Sequence, residues 1–159
     1  MYKFCILAAG RGTRNKTIEG LHKALLPIEN KAIISRIIEN VPRSVEIVIP
    51  VGYKSEQVKS YVNHCFPDRK IEFVDIDNYD GEGSGPGYSL LQCEKYLQCP
   101  FIFTSVDTLI EEKDLIDVPE YNWVGVSSVD VDSSSSYCLV KGDGVVESFY
   151  YGSGVQAFI

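Results

Sequence analysis

Four apolar runs, separated by segments with helical spacing, occupy residues 3–105 and constrain the fold more than any other feature of the chain. Lys3–Ala8, Glu46–Val51, Ile71–Ile76 and Phe101–Ser105 read as β-strands. Between them, Ala32–Asn40 carries Ile33, Ile34, Ile37 and Ile38 at helical spacing. Ser55 is placed to cap a helix with Val58, Tyr61 and Val62 on one face. Ser84-Gly85-Pro86 opens a helix running through Leu97, with the proline suited to the first turn. Strands that alternate with helices need right-handed crossovers, which predicts a mostly parallel sheet.

After Asp117 the pattern changes. Trp123–Val129, Tyr137–Val140, Val145–Phe149 and Val155–Ile159 read as strands with short connections, and Lys141-Gly142-Asp143-Gly144 is a hairpin turn signal. Ser133–Ser136 reads as a loop. With no internal repeat and no linker, the expectation is a single α/β domain over residues 1–159 with a mixed sheet. A chain of this size buries roughly two-thirds of its unfolded surface, so a normal core is possible. The sequence stops inside the apolar run Ala157-Phe158-Ile159, so either the last strand closes the sheet or this is a piece of something longer.

Composition narrows the function classes. Hydrophobic residues at 45% and charged residues at 23% fit a soluble globular protein. No apolar run reaches 18 residues, and Met1–Ala8 lacks the basic start and cleavage site of a signal peptide, so the expectation is a cytoplasmic protein without a membrane partner. The five cysteines are odd in number and form no C-x-x-C pair, which favours reduced thiols over zinc or disulfides. His22 and His64 have no metal-ligand spacing and receive no role. A net charge of −7 argues against a nucleic-acid partner, whose binding would rest on neutralised phosphates. One segment runs against that average: Arg11, Arg14, Lys16 and Lys23 stand against the single acid Glu19. It reads either as a solvated surface loop or as the site of a small polyanionic ligand.

Leu7-Ala8-Ala9-Gly10-Arg11-Gly12-Thr13-Arg14 follows the first strand directly. Small residues let backbone approach a ligand, and glycines reach the φ values that turn N–H groups toward phosphate oxygens. Asn15 stands where the dinucleotide fingerprint needs a third glycine, and no Gly-Lys-Ser/Thr closes the loop as in a P-loop. Alone, the loop fits an ordinary tight turn as well as a phosphate cradle. Together with Lys23-Ala24-Leu25-Leu26-Pro27-Ile28 and Lys31-Ala32-Ile33-Ile34, it resembles the signature of the nucleotidyltransferase family. That family includes sugar-phosphate nucleotidylyltransferases and the cytidylyltransferases for choline phosphate and related alcohols.

The resemblance implies the nucleotide-diphospho-sugar transferase fold. This is a Rossmann-like mixed, mostly parallel sheet flanked by helices, with the NTP across the carboxyl ends of the strands. It implies that Leu7, Ala8, Ala9, Gly10, Arg11, Gly12 and Thr13 bind the nucleotide. Arg14 and Lys23 become the catalytic cations, with Lys23 near the α-phosphate. In Asn78–Leu90, four glycines within seven residues precede a helix. By the same likeness Gly83, Ser84 and Gly85 are base contacts, although alone the stretch fits a flexible loop and helix cap. Asp107, at the end of the Phe101–Ser105 strand, corresponds to a magnesium-binding aspartate; alone it fits a turn cap. Val146–Phe149 and Ser153–Ile159 resemble middle strands of the family, and no second metal aspartate can be matched.

The implied reaction moves NMP from an NTP to a sugar 1-phosphate, releases pyrophosphate and yields an NDP-sugar, with Mg2+ as cofactor and polysaccharide synthesis as one setting. The acceptor phosphate is already an anion at neutral pH, so the chain needs alignment and charge neutralisation rather than a general base. One alternative is a cytidylyltransferase for a phosphorylated alcohol such as choline phosphate. Another is a non-catalytic NTP-binding domain or an inactive fragment.

Overall fold

A computed structural model describes residues 2–12, 20–111, 115, 121–125, 136–141, 143–151 and 155–157, with the backbone alone for 136–140, 149–151 and 155–157. The chain divides into two compact units, Met1–Val118 and Pro119–Ile159.

The first unit is built on a parallel sheet. Its strands are β1 (Lys3–Leu7), β4 (Glu46–Val51), β5 (Ile71–Asp75) and β6 (Phe101–Ser105), in the order β5-β4-β1-β6. The helices α1 (Ile33–Asn40) and α2 (Ser55–Cys65) supply the crossovers from β1 to β4 and from β4 to β5. The short helix α3 (Pro86–Gln92) precedes β6. Between β1 and α1 lies a small antiparallel hairpin, β2 (Pro27–Ile28) with β3 (Lys31–Ala32).

Beyond Lys3, β1 is apolar without interruption because both of its faces are covered. Phe4, Ile6 and Ala8 pack with Ile34, Ile37 and Ile38 of α1 and with Val58 and Val62 of α2. Cys5, Leu7 and Ala9 face the opposite cluster, with Cys93 and Leu97. The period of two along the strand makes this division. β4 obeys the same rule: Ile47, Ile49 and Val51 join the first cluster and Val48 the second. A hydroxyl contact of 2.9 Å between Ser35 and Tyr61 ties α1 to α2. On β6 only one face is covered: Ile102 is 8% exposed, whereas Phe103 on the other face is 53% exposed.

Three local expectations need correction. Ser55 does not cap α2; Lys54 holds the cap position in the left-handed region (φ 47) with no side-chain bond. The turn is closed instead through backbone, from the Ser55 N–H to the Gly52 carbonyl at 3.1 Å. The helix from Pro86 ends at Gln92, and Glu94–Tyr96 tightens into a 3-10 turn that keeps both Cys93 and Leu97 buried. Pro86 does occupy the first turn of α3. Trp123–Gly125 are not in a strand, and Val126–Val129 lie outside the described residues.

The second unit contains an antiparallel sheet of β7 (Ser136–Val140), β8 (Val146–Tyr151) and β9 (Val155–Ala157). The expected turn joins β7 to β8, closed by the Gly144 N–H to the Lys141 carbonyl at 2.9 Å. Among the described cysteine side chains, Cys5, Cys65, Cys93 and Cys99 are free thiols. Among the described residues no helix is long and apolar enough to cross a membrane.

Candidate active site

The chain moves outward from β1 to β4 and β5, then returns to the far side of β1 as β6. The strand order therefore reverses between β1 and β6, and open α/β sheets bind ligands at the carboxyl ends beside such a reversal. The register pairs Leu7 with Ser105, so the loops leaving β1 and β6 emerge side by side. These are the loops that carry the glycines and Asp107.

Leu7, Ala8 and Ala9 are buried, at 8, 0 and 4% exposure, and form the floor of this loop. Ala8 bridges Val51, and the Ala9 carbonyl accepts the Tyr53 N–H at 3.0 Å. Their small side chains fix where the loop leaves the sheet, which leaves Gly10–Gly12 to face outward. Gly12 sits at φ 66, and a Cβ there would stand 3.0 Å from Cδ of Lys23. The glycine thus makes room for the lysine stem.

Lys23 opens a 3-10 turn, Lys23–Leu25, and its Nζ donates to Oδ2 of Asp107 at 3.1 Å. The Ser105 hydroxyl donates to the other carboxylate oxygen. Partial burial works to raise the Asp107 carboxyl, but the hydrogen bonds from Ser105 and Lys23 outweigh it and hold the group below its ordinary range. The Asp107 side chain remains 53% exposed. It is therefore available to a ligand rather than turned into the interior.

Arg11 pairs with Asp80 and lies over the Tyr53 ring, its guanidinium carbon 5.2 Å from the centroid. Lys54 approaches the same ring at 5.1 Å, and Tyr79 packs 6.3 Å from it, centroid to centroid. Asp80 and Tyr79 belong to the glycine-rich stretch expected to meet the base, so Arg11 connects the first loop to the second. That second loop is braced from within. Asn78 Nδ2 donates to the Glu82 carbonyl at 3.2 Å, and the Ser84 hydroxyl donates to the Gly81 carbonyl at 2.7 Å. Gly83 and Gly85 flank Ser84 with positive φ. Gly52 sets the position of the loop, because a Cβ there would fall 2.6 Å from Cβ of Tyr79.

The structure thus brings Gly12, Lys23 and Asp107 together and links Arg11 to the loop of Gly83, Ser84 and Gly85. Thr13 and Arg14 lie outside the described residues. Sequence reasoning passed over His22, which is fully buried beside Lys23. Its Nδ1 accepts the Ala24 N–H at 3.1 Å, and its backbone N–H donates to Gln57 of α2 at 3.0 Å. Burial, with Lys23 and Lys54 nearby, pushes the imidazole down to about 4, so it is neutral at pH 7. A lone histidine between Leu21 and Lys23 has no periodicity that would have revealed this.

Among the described residues no group of three or more His, Cys, Asp or Glu side chains could by itself hold a metal ion. Asp107 offers one exposed carboxylate beside the glycine loop. That donor set suits a hard cation that arrives with its own oxygen ligands, as magnesium does with a nucleotide.

Residues 4–117 match the model of the MobA-like NTP transferase domain. A bifunctional protein GlmU from Methanococcus aeolicus is 28% identical over 141 residues, 87% of this chain and 32% of that protein. A probable molybdenum cofactor guanylyltransferase from Methanosarcina mazei is 35% identical over 117 residues, 68% of this chain and 51% of that protein. The chain therefore spans about half or less of the length of these curated relatives. The crystal structure of HddC from Yersinia pseudotuberculosis complexed with GMP-PN superposes at a TM-score of 0.66, with 26% identity, covering 98% of this chain and 71% of that one. A parallel sheet reversing beside a glycine loop, with a strand-end aspartate next to it, agrees with that family match: the chain belongs to the MobA-like NTP transferase domain family.

Proposed function

We propose that this chain carries the nucleotide half of a nucleotidyltransferase, which moves NMP from an NTP to a sugar 1-phosphate and releases pyrophosphate. The observation that carries this reading is the convergence of Lys23, Gly12 and Asp107 at the β1/β6 reversal. The loop amides of Gly10–Gly12 and the Lys23 ammonium face the triphosphate, and Arg14 adds charge near the leaving pyrophosphate. The acceptor phosphate oxygen attacks the α-phosphorus as an anion, so no side chain has to remove a proton. What the chain contributes is alignment and stabilisation of charge that develops on the phosphates.

Nucleotidyltransferases of this family generally use a divalent metal. We assign Mg2+ to Asp107, where it would polarise the phosphates and neutralise their charge when bound. Lys23 holds Asp107 in place until then and becomes free to face phosphate. Gly83, Ser84 and Gly85 read the base through backbone groups, since the Ser84 hydroxyl already donates within its own turn. GMP-PN in HddC and the guanylyltransferase name of the Methanosarcina relative make GTP the first nucleotide to test. We read both units as parts of one nucleotidyltransferase-like domain, a reading supported by the 98% coverage in the HddC superposition.

The test is a pyrophosphate-release screen of four NTPs against phosphorylated sugars and alcohols. Release with a sugar 1-phosphate supports this reading, whereas release only with choline phosphate or a similar alcohol replaces the acceptor class. NTP binding with no release for any acceptor would reduce the chain to a binding domain.

A further inference from the structure

Asp107 is held at both carboxylate oxygens, by donors of different kinds. The Lys23 ammonium donates to Oδ2 at 3.1 Å, from a turn 84 residues away in the chain. It stands at the end of a flexible four-carbon stem. The Ser105 hydroxyl donates to Oδ1 from the same turn as Asp107 itself. That turn is fixed from several sides. Ser105 ends β6 in register with Leu7, the Val106 N–H donates to the Leu7 carbonyl at 3.2 Å, and the Thr108 N–H donates to the Ser105 carbonyl at 3.0 Å. Val106, between serine and aspartate, is buried. The lysine is therefore the movable donor and the serine the fixed one.

The difference matters for a cation. The torsion that spins a carboxylate about its Cβ–Cγ bond is broad, without the deep staggered wells of saturated carbons. An unrestrained aspartate can thus offer an ion one oxygen or two. When a triphosphate draws Lys23 away, Oδ2 is released. Oδ1 stays engaged by Ser105, which is carried on the rigid turn. An arriving ion then meets one free oxygen, on a carboxylate whose plane the serine has already set. Magnesium needs a tight octahedral shell and keeps most of it for water and phosphate oxygens, whereas calcium is larger and readily takes a carboxylate through both oxygens.

We propose that Ser105 is a positioning residue that selects the ion: its hydrogen bond to Oδ1 makes Asp107 a one-oxygen ligand, which suits magnesium and denies calcium a two-oxygen grip. Ser105 touches neither ion nor nucleotide and acts through Asp107 alone. This rests on the metal and triphosphate site of the proposed function.

Inorganic tripolyphosphate is the probe, because it requires no choice of base. Its binding to the full chain is titrated with Mg2+ or with Ca2+ for wild type, Ser105→Ala, Ser105→Thr and Asp107→Asn. Loss of a group that orients a metal ligand costs about tenfold or more in metal affinity. Ser105→Ala should bind magnesium tripolyphosphate about tenfold more weakly than wild type, while calcium tripolyphosphate changes by no more than about twofold. Ser105→Thr keeps the hydroxyl and should keep the wild-type preference. A serine that merely supports the turn would lower both affinities alike. That result, or unchanged affinities in Ser105→Ala, would overturn the proposal. Crystals grown with calcium tripolyphosphate read the same point directly. One Asp107 oxygen should contact the ion in wild type and two in Ser105→Ala, and two in wild type reject the assignment. Asp107→Asn separates this inference from the function beneath it. If that variant binds like wild type with either ion, no metal rests on Asp107 and both fall. If the ion preference follows Ser105 yet no NTP binds, the proposed function alone falls.

Discussion

Lys23 and Asp107, 84 residues apart in the chain, hold each other at 3.1 Å across the gap between the loops of β1 and β6. An ammonium and a carboxylate that rest on one another are a pair that a metal-bound triphosphate can part. In the proposed reading the anion takes the lysine and the cation takes the aspartate. An exposed pair of this kind contributes at most about 1 kcal/mol to the fold. Lys23→Ala should therefore leave melting nearly unchanged while lowering kcat by about 10²–10³. Asp107→Asn should reduce turnover and raise the magnesium concentration needed for half-maximal rate. Near-normal turnover in either variant would remove that residue from the site.

Gly52 offers a different handle, because it touches no ligand in the proposed reading. A methyl group there would meet Cβ of Tyr79 at 2.6 Å, and a Cβ moves only with its backbone. Gly52→Ala must shift the loop that carries Gly83–Gly85. The expected outcome is a KM for NTP raised about tenfold or more, with affinity for inorganic tripolyphosphate much less affected. Equal losses for both ligands would mean that the loop does not read the base.

Much of this was legible from residue order, and the reasons are physical. β1, β4 and β6 announced themselves because a parallel strand covered on at least one face must be rich in apolar residues, and Asp107 followed as the first acid beyond β6. The hairpin of β2 and β3 did not. Its turn uses Glu29 and Asn30 at φ 49 and 65, where glycine would have been the usual signal. The α3 boundary was missed because Cys93 and Leu97 keep helical spacing while the backbone tightens between them. The Arg11–Asp80 contact joins residues 69 apart and leaves no local trace.

That contact gives a third prediction. In the proposed reading Arg11 exchanges Asp80 for a phosphate when nucleotide enters. Asp80→Asn removes the competing carboxylate, so nucleotide affinity should rise by no more than about fivefold, within the worth of one exposed pair. It should also depend more steeply on salt, because a freed guanidinium then meets phosphate directly. A titration series between low and moderate ionic strength checks both, and weaker binding by Asp80→Asn would instead make Asp80 a support for Arg11.

His22 gives the pH dependence its sign. Its folded value is lowered from 6.5 to about 4, so between those limits the unfolded chain binds more protons than the folded one. Stability from this group is complete above pH 6.5 and is lost as pH falls toward 4, by roughly 3 kcal/mol in all. Denaturant unfolding of wild type and His22→Gln at pH 7 and pH 4.5 measures the difference. The substituted chain should lose less stability on acidification, and parallel curves would mean that the imidazole is not buried neutral.

The two faces of β1 answer to different masters. Residues 4, 6 and 8 are gripped by α1 and α2, the same side whose Gln57 steadies the approach to Lys23. Residues 5, 7 and 9 rest on the cluster of Cys93 and Leu97, beyond the segment that should select the base. In the proposed reading the two sides meet at Leu7–Ala9, the floor of the glycine loop, so a change of nucleobase that reached these residues would disturb the phosphate grip as well, whereas one confined to Cys93, Leu97 and the segment packed on them would leave it in place.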